Sequence, residues 1–477
     1  MRSILTNLSL RPLNLAGRQN SALTSTRMYS QRPAWLEAVR NDSTPPPRLF
    51  AWSASNVRLH KDLDAAPSIS ASEISSDPNK RIYVLGIGNL GRLFAGSLAK
   101  ASKRPPITLV VHRKELLTEW IDSRGIEILR SGTLETIKDF DIEWWTNSQP
   151  DLGPVREVAD GGKLHNLIIT TKATAALPQV DRVRGYLDQS STVVFVQNGM
   201  SKLWPPHGPA YVSDRFASSQ APSFLACVTT HGVTSQGPFR SLHASQADVT
   251  VGSVLPNSDL SQENTYLVKQ MLNAPHLNAR SVSRGELWIL QLEKLVVNAI
   301  INPLTAILGC KNGALFIESD GVLARVIDQL LREASAVLQL LVAHESSAEI
   351  IDEAFDQSPS RSAQPKSALD LSPSSLQDRF SLPRLKDMVY RVGHKVRENT
   401  SSMLQDVRAS RSTEIRDFSG WIVEMAAFLD QSLDVAGHRT MVDLVEAGRT
   451  LDADQLGGHL NGSGAGTRKY YTSDRRG

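Results

Sequence analysis

Short apolar runs alternate with helical patterns through the first half of the chain. Buried parallel strands are predicted from four runs rich in Ile, Val and Leu, at 82–85, 107–111, 167–171 and 192–197. The residues after the first run switch to helical spacing, with Leu90, Phe94 and Leu98 on one face. A hairpin-bearing edge that completes the sheet is expected from three later runs, at 223–231, 237–243 and 249–252. This half of the chain is therefore predicted to form an α/β domain.

The second half has helical spacing, and its most informative helix begins after Ser283. Ser283 and Glu286 have the spacing of a capping box, and the apolar helix that follows carries Lys294, Asn298 and Asn302 at i, i+4 and i+8. Such a polar stripe is costly unless it meets a polar ligand, a partner chain or its own members. The alternative is a lysine that extends to solvent. A lysine facing a site can protonate a carbonyl oxygen while hydride arrives at carbon.

Two polar clusters with cap-like composition lie near the end of the helical half, at 399–406 and 412–415. Ser402 and Glu414 are twelve residues apart, which places them about 120° from a common helical face. A break is therefore expected before Glu414, with Ser412 or Thr413 beginning the next helix. On this pattern alone, Glu414 is a first-turn acid that complements the helix dipole.

A glycine-rich turn links the first predicted strand to the first predicted helix. Gly86, Gly88 and Gly91 have the G-x-G-x-x-G spacing. The first glycine permits a tight turn, the second lets the backbone approach a pyrophosphate, and the third lets helix and strand pack closely. The alternative is an ordinary glycine-rich turn, but its position between strand and helix favours a Rossmann-type dinucleotide-binding domain.

The end of the second predicted strand indicates which dinucleotide is bound. NAD enzymes carry an acid there for the ribose hydroxyls, whereas this chain has His112, Arg113 and Lys114. The two cations suit the 2′-phosphate of NADPH, and the alternative is a solvated charge pair at a helix start. Lys172 and Asn198 follow two later strands, so both are expected to project toward the cofactor crevice.

Composition excludes several other classes of protein. The 477 residues include 52 basic and 49 acidic side chains, too small an imbalance to indicate nucleic-acid binding. Two cysteines, Cys227 and Cys310, exclude a disulfide scaffold and a Cys-rich metal site, and no metal is predicted. The apolar run at 295–308 is too interrupted for a membrane span. His231 and His243 are the candidate acid–base histidines, but each lies within a strand pattern, which favours a structural role.

The ends of the chain and one internal segment differ in composition from the rest. Residues 1–36 contain five arginines and no acid, which is typical of a mitochondrial transit segment, and an untargeted basic tail in a cytoplasmic protein is the alternative. Pro and Ser are frequent in 356–383, which is predicted to be a disordered insertion. The predicted order is transit segment, disordered linker, dinucleotide-binding domain, all-helical domain and flexible tail, at 1–36, 37–80, 81–282, 283–455 and 456–477.

Several separated motifs resemble those of the ketopantoate reductase (2-dehydropantoate 2-reductase) family. The resemblance extends over about residues 82–451, apart from the insertion. It rests on the glycine turn, on single residues after strands, and on two long motif runs. These are 86–91, Lys172, 198–200, 230–232, 286–288, 294–298, 301–306, 310–313, 401–408 and 413–415. The resemblance implies a Rossmann-type α/β domain followed by an all-α domain, with the substrate between them.

The resemblance also implies roles for individual residues. Lys294 would be the general acid, and Glu414 would hold the lysine or the reacting hydroxyl. Substrate-binding residues would be Asn198, Asn298, Asn302, Ser402 and Asn312. Cofactor-binding residues would be Gly86, Ile87, Gly88, Asn89, Leu90, Gly91, Arg113, Lys172 and Asn198.

The implied activity is NADPH-dependent reduction of 2-dehydropantoate to (R)-pantoate in pantothenate biosynthesis. Two alternatives stay open: a reductase of another small 2-keto acid, or a catalytically silent NADPH-binding protein that recruits partners through the insertion. The expected ligand is a small 2-keto acid, without nucleic acid or membrane insertion, and a homodimer is left open.

Overall fold

The computed structural model describes residues 32–58, 77–257, 265–355 and 370–462. Within these residues the strands are β1 Phe50–Ser53, β2 Ile82–Leu85, β3 Ile107–Val111, β4 Ile126–Arg130, β5 Thr133–Ile137, β6 Asp141–Thr146, β7 Asn166–Ile169, β8 Thr192–Phe195, β9 Ser223–Thr229, β10 Gly232–Ser235, β11 Arg240–Ser245, β12 Val249–Leu255 and β13 Ala279–Ser281. The helices of the first half are α1 Ala34–Asn41, α2 Ser55–Arg58, α3 Asn89–Leu98, α4 Glu115–Asp122, α5 Ala173–Val183, α6 His207–Arg215 and α7 Tyr266–Leu272. Those of the second half are α8 Arg284–Leu308, α9 Val322–Ala343, α10 Ala348–Phe355, α11 Pro373–Arg379, α12 Leu382–Lys395, α13 Ser402–Arg408, α14 Ile415–Leu429, α15 Ala436–Glu446 and α16 Ala453–Gly462.

In the described part of the chain, the larger sheet has nine strands in the order β1-β6-β3-β2-β7-β8-β9-β12-β13. Its six central strands, from β6 to β9, run parallel, while β1 and β12 pair antiparallel with their inner neighbours. Every residue of β2, β7 and β8 is buried, as expected for strands covered on both faces. The carboxyl ends of the parallel strands meet at one edge, where the glycine turn and Asn198 lie. The α/β fold of this half is confirmed.

A second sheet, in the order β10-β11-β4-β5, corrects the prediction for the hairpin. The strands β10 and β11 do not extend the large sheet, because β11 pairs with β4. Alternate residues of β4 are buried, and Ile128 reaches Gly96 of α3, so this small sheet packs on the helix after the glycine turn. Residues 126–137 carried no strand prediction although they form a hairpin, whose Ser131 and Gly132 both have positive φ.

Helix α8 begins where the capping pattern predicted. Ser283 Oγ accepts a hydrogen bond from the backbone N–H of Glu286 at 3.2 Å, and Gly309 ends the helix in the left-handed region. Among the described helices, α8 alone is long and apolar enough to cross a membrane, yet 72% of its apolar window is buried in the protein. Helix α8 packs against α9, α12, α13, α14 and α15. It is the central helix of the second half.

The predicted break before Glu414 is confirmed. Helix α13 ends at Arg408 and α14 begins at Ile415. The N-cap of α14 is Glu414 itself, rather than Ser412 or Thr413.

The N-terminal segment is folded where the end of the transit segment (1–36) and a disordered linker (37–80) were predicted. Residues 34–41 form α1, and β1 adds an antiparallel strand to the edge of β6. Leu36, Leu49, Phe50 and Trp52 are all at most 6% exposed. This segment has too few apolar residues for a core of its own, but it completes the core of the α/β domain. Residues 1–31 and 59–76 lie outside the described part.

Two other boundaries also differ from the predictions. The predicted insertion at 356–383 is too long, because Leu371, Leu376 and Phe380 are buried and α11 lies within it. The predicted tail begins too early, because Leu456 and Leu460 of α16 are buried. In both segments a few apolar residues are buried against the core and hold a short helix there, although most of the neighbouring residues are polar. Residues 356–369 and 463–477 lie outside the described part.

Candidate functional site

The glycine turn has the geometry that a dinucleotide phosphate requires. Gly86 has φ +96°, and a Cβ on Gly91 would lie 2.1 Å from the Gly86 carbonyl oxygen, so both positions require glycine. A Cβ on Gly88, in contrast, would have no atom within 4 Å, so this glycine faces open space. Gly88 is the N-cap of α3, so the first backbone N–H groups of this helix, which have no partner within the helix, lie directly after it.

The side chains of the glycine turn make contacts with the rest of the α/β domain. Ile87 and Leu90 pack against the apolar core of the α/β domain. Asn89 donates a hydrogen bond from Nδ2 to the Val233 carbonyl at 3.2 Å, and its Oδ1 accepts one from Arg92 at 2.7 Å. The turn is thereby fixed to the small sheet. Its residues fit a bound pyrophosphate through backbone N–H groups rather than side chains.

Two cations follow the end of β3, and each has a different neighbour. Arg113 forms an ion pair with Glu119 at 3.3 Å, and half of its side chain is exposed. The Lys114 ammonium lies 4.4 Å from the centroid of the Trp52 ring. Both cations lie at the strand end where the adenosine ribose binds in Rossmann domains.

Lys294, on α8, is positioned by two acceptors from the α/β domain. Its Nζ donates hydrogen bonds to Asn198 Oδ1 at 3.0 Å and to the Thr229 carbonyl at 2.7 Å. An ammonium has three N–H donors, so one remains for a substrate oxygen. Desolvation lowers the pKa of Lys294 to about 8, and the negative charge of Glu414 opposes this shift.

Glu414 completes a chain of contacts that crosses from the helical half to the sheet. Its two carboxylate oxygens accept hydrogen bonds from Ala173 N–H and Asn198 Nδ2, each at 3.3 Å. Burial raises the pKa of Glu414, and the two N–H donors oppose that shift. Asn198 therefore bridges Lys294 and Glu414, donating to the carboxylate and accepting from the ammonium. The structure brings these three predicted residues together.

The remaining members of the α8 stripe continue away from Lys294. Asn302 is 6% exposed, and its Nδ2 lies 3.5 Å from Ser402 Oγ at the start of α13. Asn298 lies between Lys294 and Asn302 on the same face of α8 and is partly exposed. The stripe thus presents an ammonium and two amides along one face of α8, and α13 adds the Ser402 hydroxyl next to Asn302, a set that suits a ligand with a carbonyl and a carboxylate.

Two predicted site residues have other partners. Lys172 Nζ donates to Asp406 Oδ2 at 2.7 Å and to the Ser412 carbonyl, so it contacts the helical half rather than the glycine turn. Asn312 is 5% exposed, and its Nδ2 donates to the Val396 carbonyl at 3.2 Å. Its contacts hold the loop before α13 instead of joining the Lys294 cluster.

Four residues that contact or neighbour the predicted site residues were not themselves predicted from the sequence. Thr229 and Ala173 act through backbone atoms, which leave no signal in side-chain patterns. Asp406 belongs to a motif run but had no assigned partner. Asp417 is 6% exposed, and burial together with Glu414 raises its pKa to about 7. A buried acid one helical turn after a cap resembles an ordinary first-turn acid in the sequence.

The two strand histidines have structural partners. Arg130 Nε donates to His243 Nδ1 at 2.9 Å, and His243 Nε2 lies 2.9 Å from His231 Nδ1. His231 Nε2 then lies 3.1 Å from the Leu277 carbonyl. The donor at Arg130 fixes the direction of the chain, so each ring accepts at Nδ1 and donates at Nε2. Both histidines are used in connecting the small sheet to the large one.

Comparison with sequence families gives two matches that together account for most of the chain. Residues 82–256 match the family model described as "Ketopantoate reductase PanE/ApbA". Residues 287–449 match the model described as "Ketopantoate reductase PanE/ApbA C terminal".

Individual relatives carry two different substrate names. Ketoisovalerate reductase of Gibberella fujikuroi is 47% identical over 448 residues, which is 90% of this chain and 98% of that protein. Ketoisovalerate reductase of Beauveria bassiana is 43% identical over 458 residues, with 90% and 99% covered. The 2-dehydropantoate 2-reductase of Salmonella typhi is 26% identical over 347 residues, with 72% and 88% covered.

Solved structures share the fold at low sequence identity. A D-mandelate dehydrogenase in ternary complex with NADH and anilino(oxo)acetate has a TM-score of 0.53 and 15% identity, with 79% of this chain and 99% of that chain covered. A PanE/ApbA family ketopantoate reductase from Ralstonia eutropha has a TM-score of 0.52 and 17% identity, with 79% and 99% covered. From the family matches and from the relatives at 47% and 43% identity, we conclude that this chain is an oxidoreductase of the ketopantoate reductase family.

Proposed function

We propose that the protein is an NADPH-dependent reductase of a branched 2-keto acid, with 2-ketoisovalerate preferred over 2-dehydropantoate. The observation that carries the reductase activity is the contact chain Lys294–Asn198–Glu414, whose Asn198 follows β8 at the same sheet edge as the glycine turn. The substrate preference is supported by relatives named ketoisovalerate reductase, at 47% and 43% identity over almost their whole length. The enzyme named for 2-dehydropantoate is 26% identical. This proposal replaces pantoate formation as the main interpretation.

The two candidate acids differ by one hydroxymethyl group. Both have a carboxylate, an adjacent ketone and a branched carbon, so the same acid and amide groups serve either of them. A pocket built around a hydroxyl rejects an analogue that lacks it by about 10⁴-fold or more, whereas an apolar pocket shaped for the smaller acid discriminates against an added group by about 10- to 200-fold. Discrimination between the two acids therefore measures how the pocket treats the terminal hydroxyl.

Different residues of the chain are proposed to donate the proton, to stabilise the proton donor and to bind the substrate. When bound, NADPH would supply the hydride that reduces the keto carbon. Lys294 donates its proton to the keto oxygen, which would otherwise carry the developing negative charge. Glu414 favours the protonated form of Lys294 through its charge, and Asn198 fixes the ammonium by accepting one of its hydrogens. Asn298, Asn302 and Ser402 are proposed to bind the substrate carboxylate.

The glycine turn and the cations after β3 fit NADPH. The open space at Gly88 and the N–H groups of α3 are proposed to hold the pyrophosphate. Arg113 and Lys114 are proposed to bind the 2′-phosphate, at the strand end where an NAD enzyme carries an acid.

The experiment that tests the proposal follows NADPH oxidation with each acid in turn. We expect kcat/KM for 2-ketoisovalerate to exceed that for 2-dehydropantoate by at least about tenfold, within the range that one group on a substrate provides. A preference for 2-dehydropantoate would restore pantoate formation. Turnover of neither acid, with NADPH still bound, would instead favour the silent binding protein.

We further propose that residues 1–36 direct the protein to mitochondria, on the basis of their five arginines and absence of acids. A fluorescent protein fused after residue 36 is expected to enter mitochondria, and a fusion with those arginines replaced by glutamine is expected to stay in the cytoplasm. Cytoplasmic location of both fusions would contradict the proposal.

A further inference from the structure

Strand β1 places an aromatic ring beside the cations at the end of β3. Trp52 pairs with Trp144 of β6, and Trp144 in turn pairs with Val111, the last residue of β3. The three residues therefore form one row across three strands. The next residues after Val111 are His112, Arg113 and Lys114. A tryptophan from before the matched family domains, which begin at residue 82, thus lies next to the strand end proposed to bind the 2′-phosphate.

The Trp52 ring is a rigid neighbour. It is 6% exposed, and its Nε1 donates a hydrogen bond to the Ser148 carbonyl at 2.8 Å. Its ring packs edge-on against Trp144, with centroids 5.4 Å apart and an interplanar angle of 68°. A side chain held by backbone pairing, a hydrogen bond and ring packing offers a fixed surface to any group above it.

The Lys114 ammonium lies on that surface. The distance of 4.4 Å from Nζ to the ring centroid is within the range of a cation–π interaction. Lysine has four rotatable side-chain bonds, so an aromatic partner restricts where its charge resides. Unlike a carboxylate, the ring does not neutralise that charge. Arg113 is different, because Glu119 forms an ion pair with it at 3.3 Å.

We propose that Trp52 is a positioning residue that holds Lys114 for the 2′-phosphate of NADPH, so that cofactor selectivity depends on the N-terminal strand. The inference rests on the proposed preference for NADPH. A 2′-phosphate carries between one and two negative charges at neutral pH, and it is the group that distinguishes NADPH from NADH. A pre-positioned ammonium binds it without the cost of ordering a free lysine side chain.

The test compares binding of NADP⁺ and NAD⁺ to the full chain by isothermal titration calorimetry. Replacing Trp52 with Leu keeps an apolar residue in the core but removes the ring. We expect the Kd for NADP⁺ to rise about three- to tenfold in W52L, while the Kd for NAD⁺ changes less than twofold. The conservative variant W52F retains a ring and is expected to stay within twofold of the wild type for both.

A double-mutant cycle with Lys114 separates positioning from a general loss of structure. K114M is expected to weaken NADP⁺ binding at least as much as W52L, and the double variant is expected to be no weaker than K114M alone. Trp145, the next residue of β6, lies in the core on the other face of the sheet and provides the control. W145L is expected to affect both cofactors equally.

The outcomes separate this inference from the proposed function. If the wild type binds NAD⁺ as tightly as NADP⁺, the proposed NADPH preference is wrong and the inference falls with it. If the wild type prefers NADP⁺ but W52L weakens both cofactors equally, only the inference is overturned. An unchanged Kd for NADP⁺ in K114M would also overturn it alone, and turnover of the keto acids would remain as proposed.

Discussion

At the scale of single residues, Lys294 combines a partly desolvated ammonium with fixed acceptors. Two of its three hydrogens are bound by Asn198 and Thr229, so the remaining hydrogen has a defined direction. A general acid works best when its pKa is close to the working pH. Burial lowers the pKa of Lys294 from the ordinary lysine value to about 8. The position and the acidity of the donor therefore arise from the same burial.

The pH dependence of turnover follows from this shift. Only protonated Lys294 can donate, and a lowered pKa means that the proton is lost at a lower pH than in an exposed lysine. We expect kcat/KM for 2-ketoisovalerate to fall tenfold per pH unit above about pH 8, as measured between pH 6 and 10 by varying the keto acid at saturating NADPH. Activity that stays constant up to pH 10 would contradict a desolvated lysine acid.

Replacing Glu414 with Gln tests the charge next to Lys294. Glutamine can still accept from Ala173 N–H, but the negative charge that favours protonated Lys294 is removed. We expect the alkaline limb of the pH profile to move to lower pH, and kcat/KM at pH 7.5 to fall by about 10- to 100-fold. D430N, at the exposed far end of α14, is the matched control and is expected to match the wild type. An unshifted limb in E414Q would show that the carboxylate has no electrostatic role.

At the scale of elements, the start of α5 contacts the segment from α13 to α14 at three points. Lys172 contacts Asp406 and the Ser412 carbonyl, and the next residue, Ala173, donates to Glu414. The stretch that carries Glu414 is therefore held by the end of β7. This arrangement connects substrate binding to the relative position of the two halves.

This geometry predicts a particular kinetic effect for Lys172. If Lys172 mainly holds the segment before Glu414, K172M raises the KM for the keto acid about tenfold and leaves the Kd for NADPH within threefold. D406N is the partner variant, and the double variant is expected to be no worse than the more affected single one. A large increase in the Kd for NADPH with an unchanged KM would return Lys172 to the cofactor role implied by the family resemblance.

Sequence patterns predict an element well where residues within that element itself determine its structure. The helix α8 was predictable because Ser283 caps it and its apolar residues have helical spacing throughout. The Lys294 stripe was predictable because polar side chains on a buried apolar helix are costly unless they have polar partners. The contact to the Thr229 carbonyl was not, since a backbone acceptor is present at every residue. The hairpin of β4 and β5 was missed because its stabilising partners, α3 and β11, are distant in sequence.

At the scale of the whole molecule, residues 32–58 contact both halves of the protein. Trp35 Nε1 donates to Glu424 of α14 at 3.3 Å and packs against His207 of α6. Strand β1 covers the edge of β6. Composition alone predicted a linker here, because such a short segment has no core of its own. Its burial depends on surfaces that only the folded remainder of the chain supplies.

Truncation at two points tests this role. Removing residues 1–31 leaves all the described contacts of the segment in place, so we expect an unchanged Tm. Removing residues 1–58 exposes the surfaces that Leu36, Leu49, Phe50 and Trp52 cover, and each such side chain contributes about 1.5–3 kcal/mol by burial. We expect Tm to fall by at least about 10 °C, or the protein to aggregate through the free edge of β6. Equal melting of both truncated forms would show that the segment is only peripheral.

The central claim is that Lys294 protonates the oxygen of a 2-keto acid, and one measurement tests it most directly. Turnover of 2-ketoisovalerate by K294A is compared with the wild type, together with the Kd for NADPH. We predict that kcat falls by at least about 100-fold, the usual contribution of a general acid, while the Kd for NADPH stays within threefold. A kcat within threefold of the wild-type value would contradict the account.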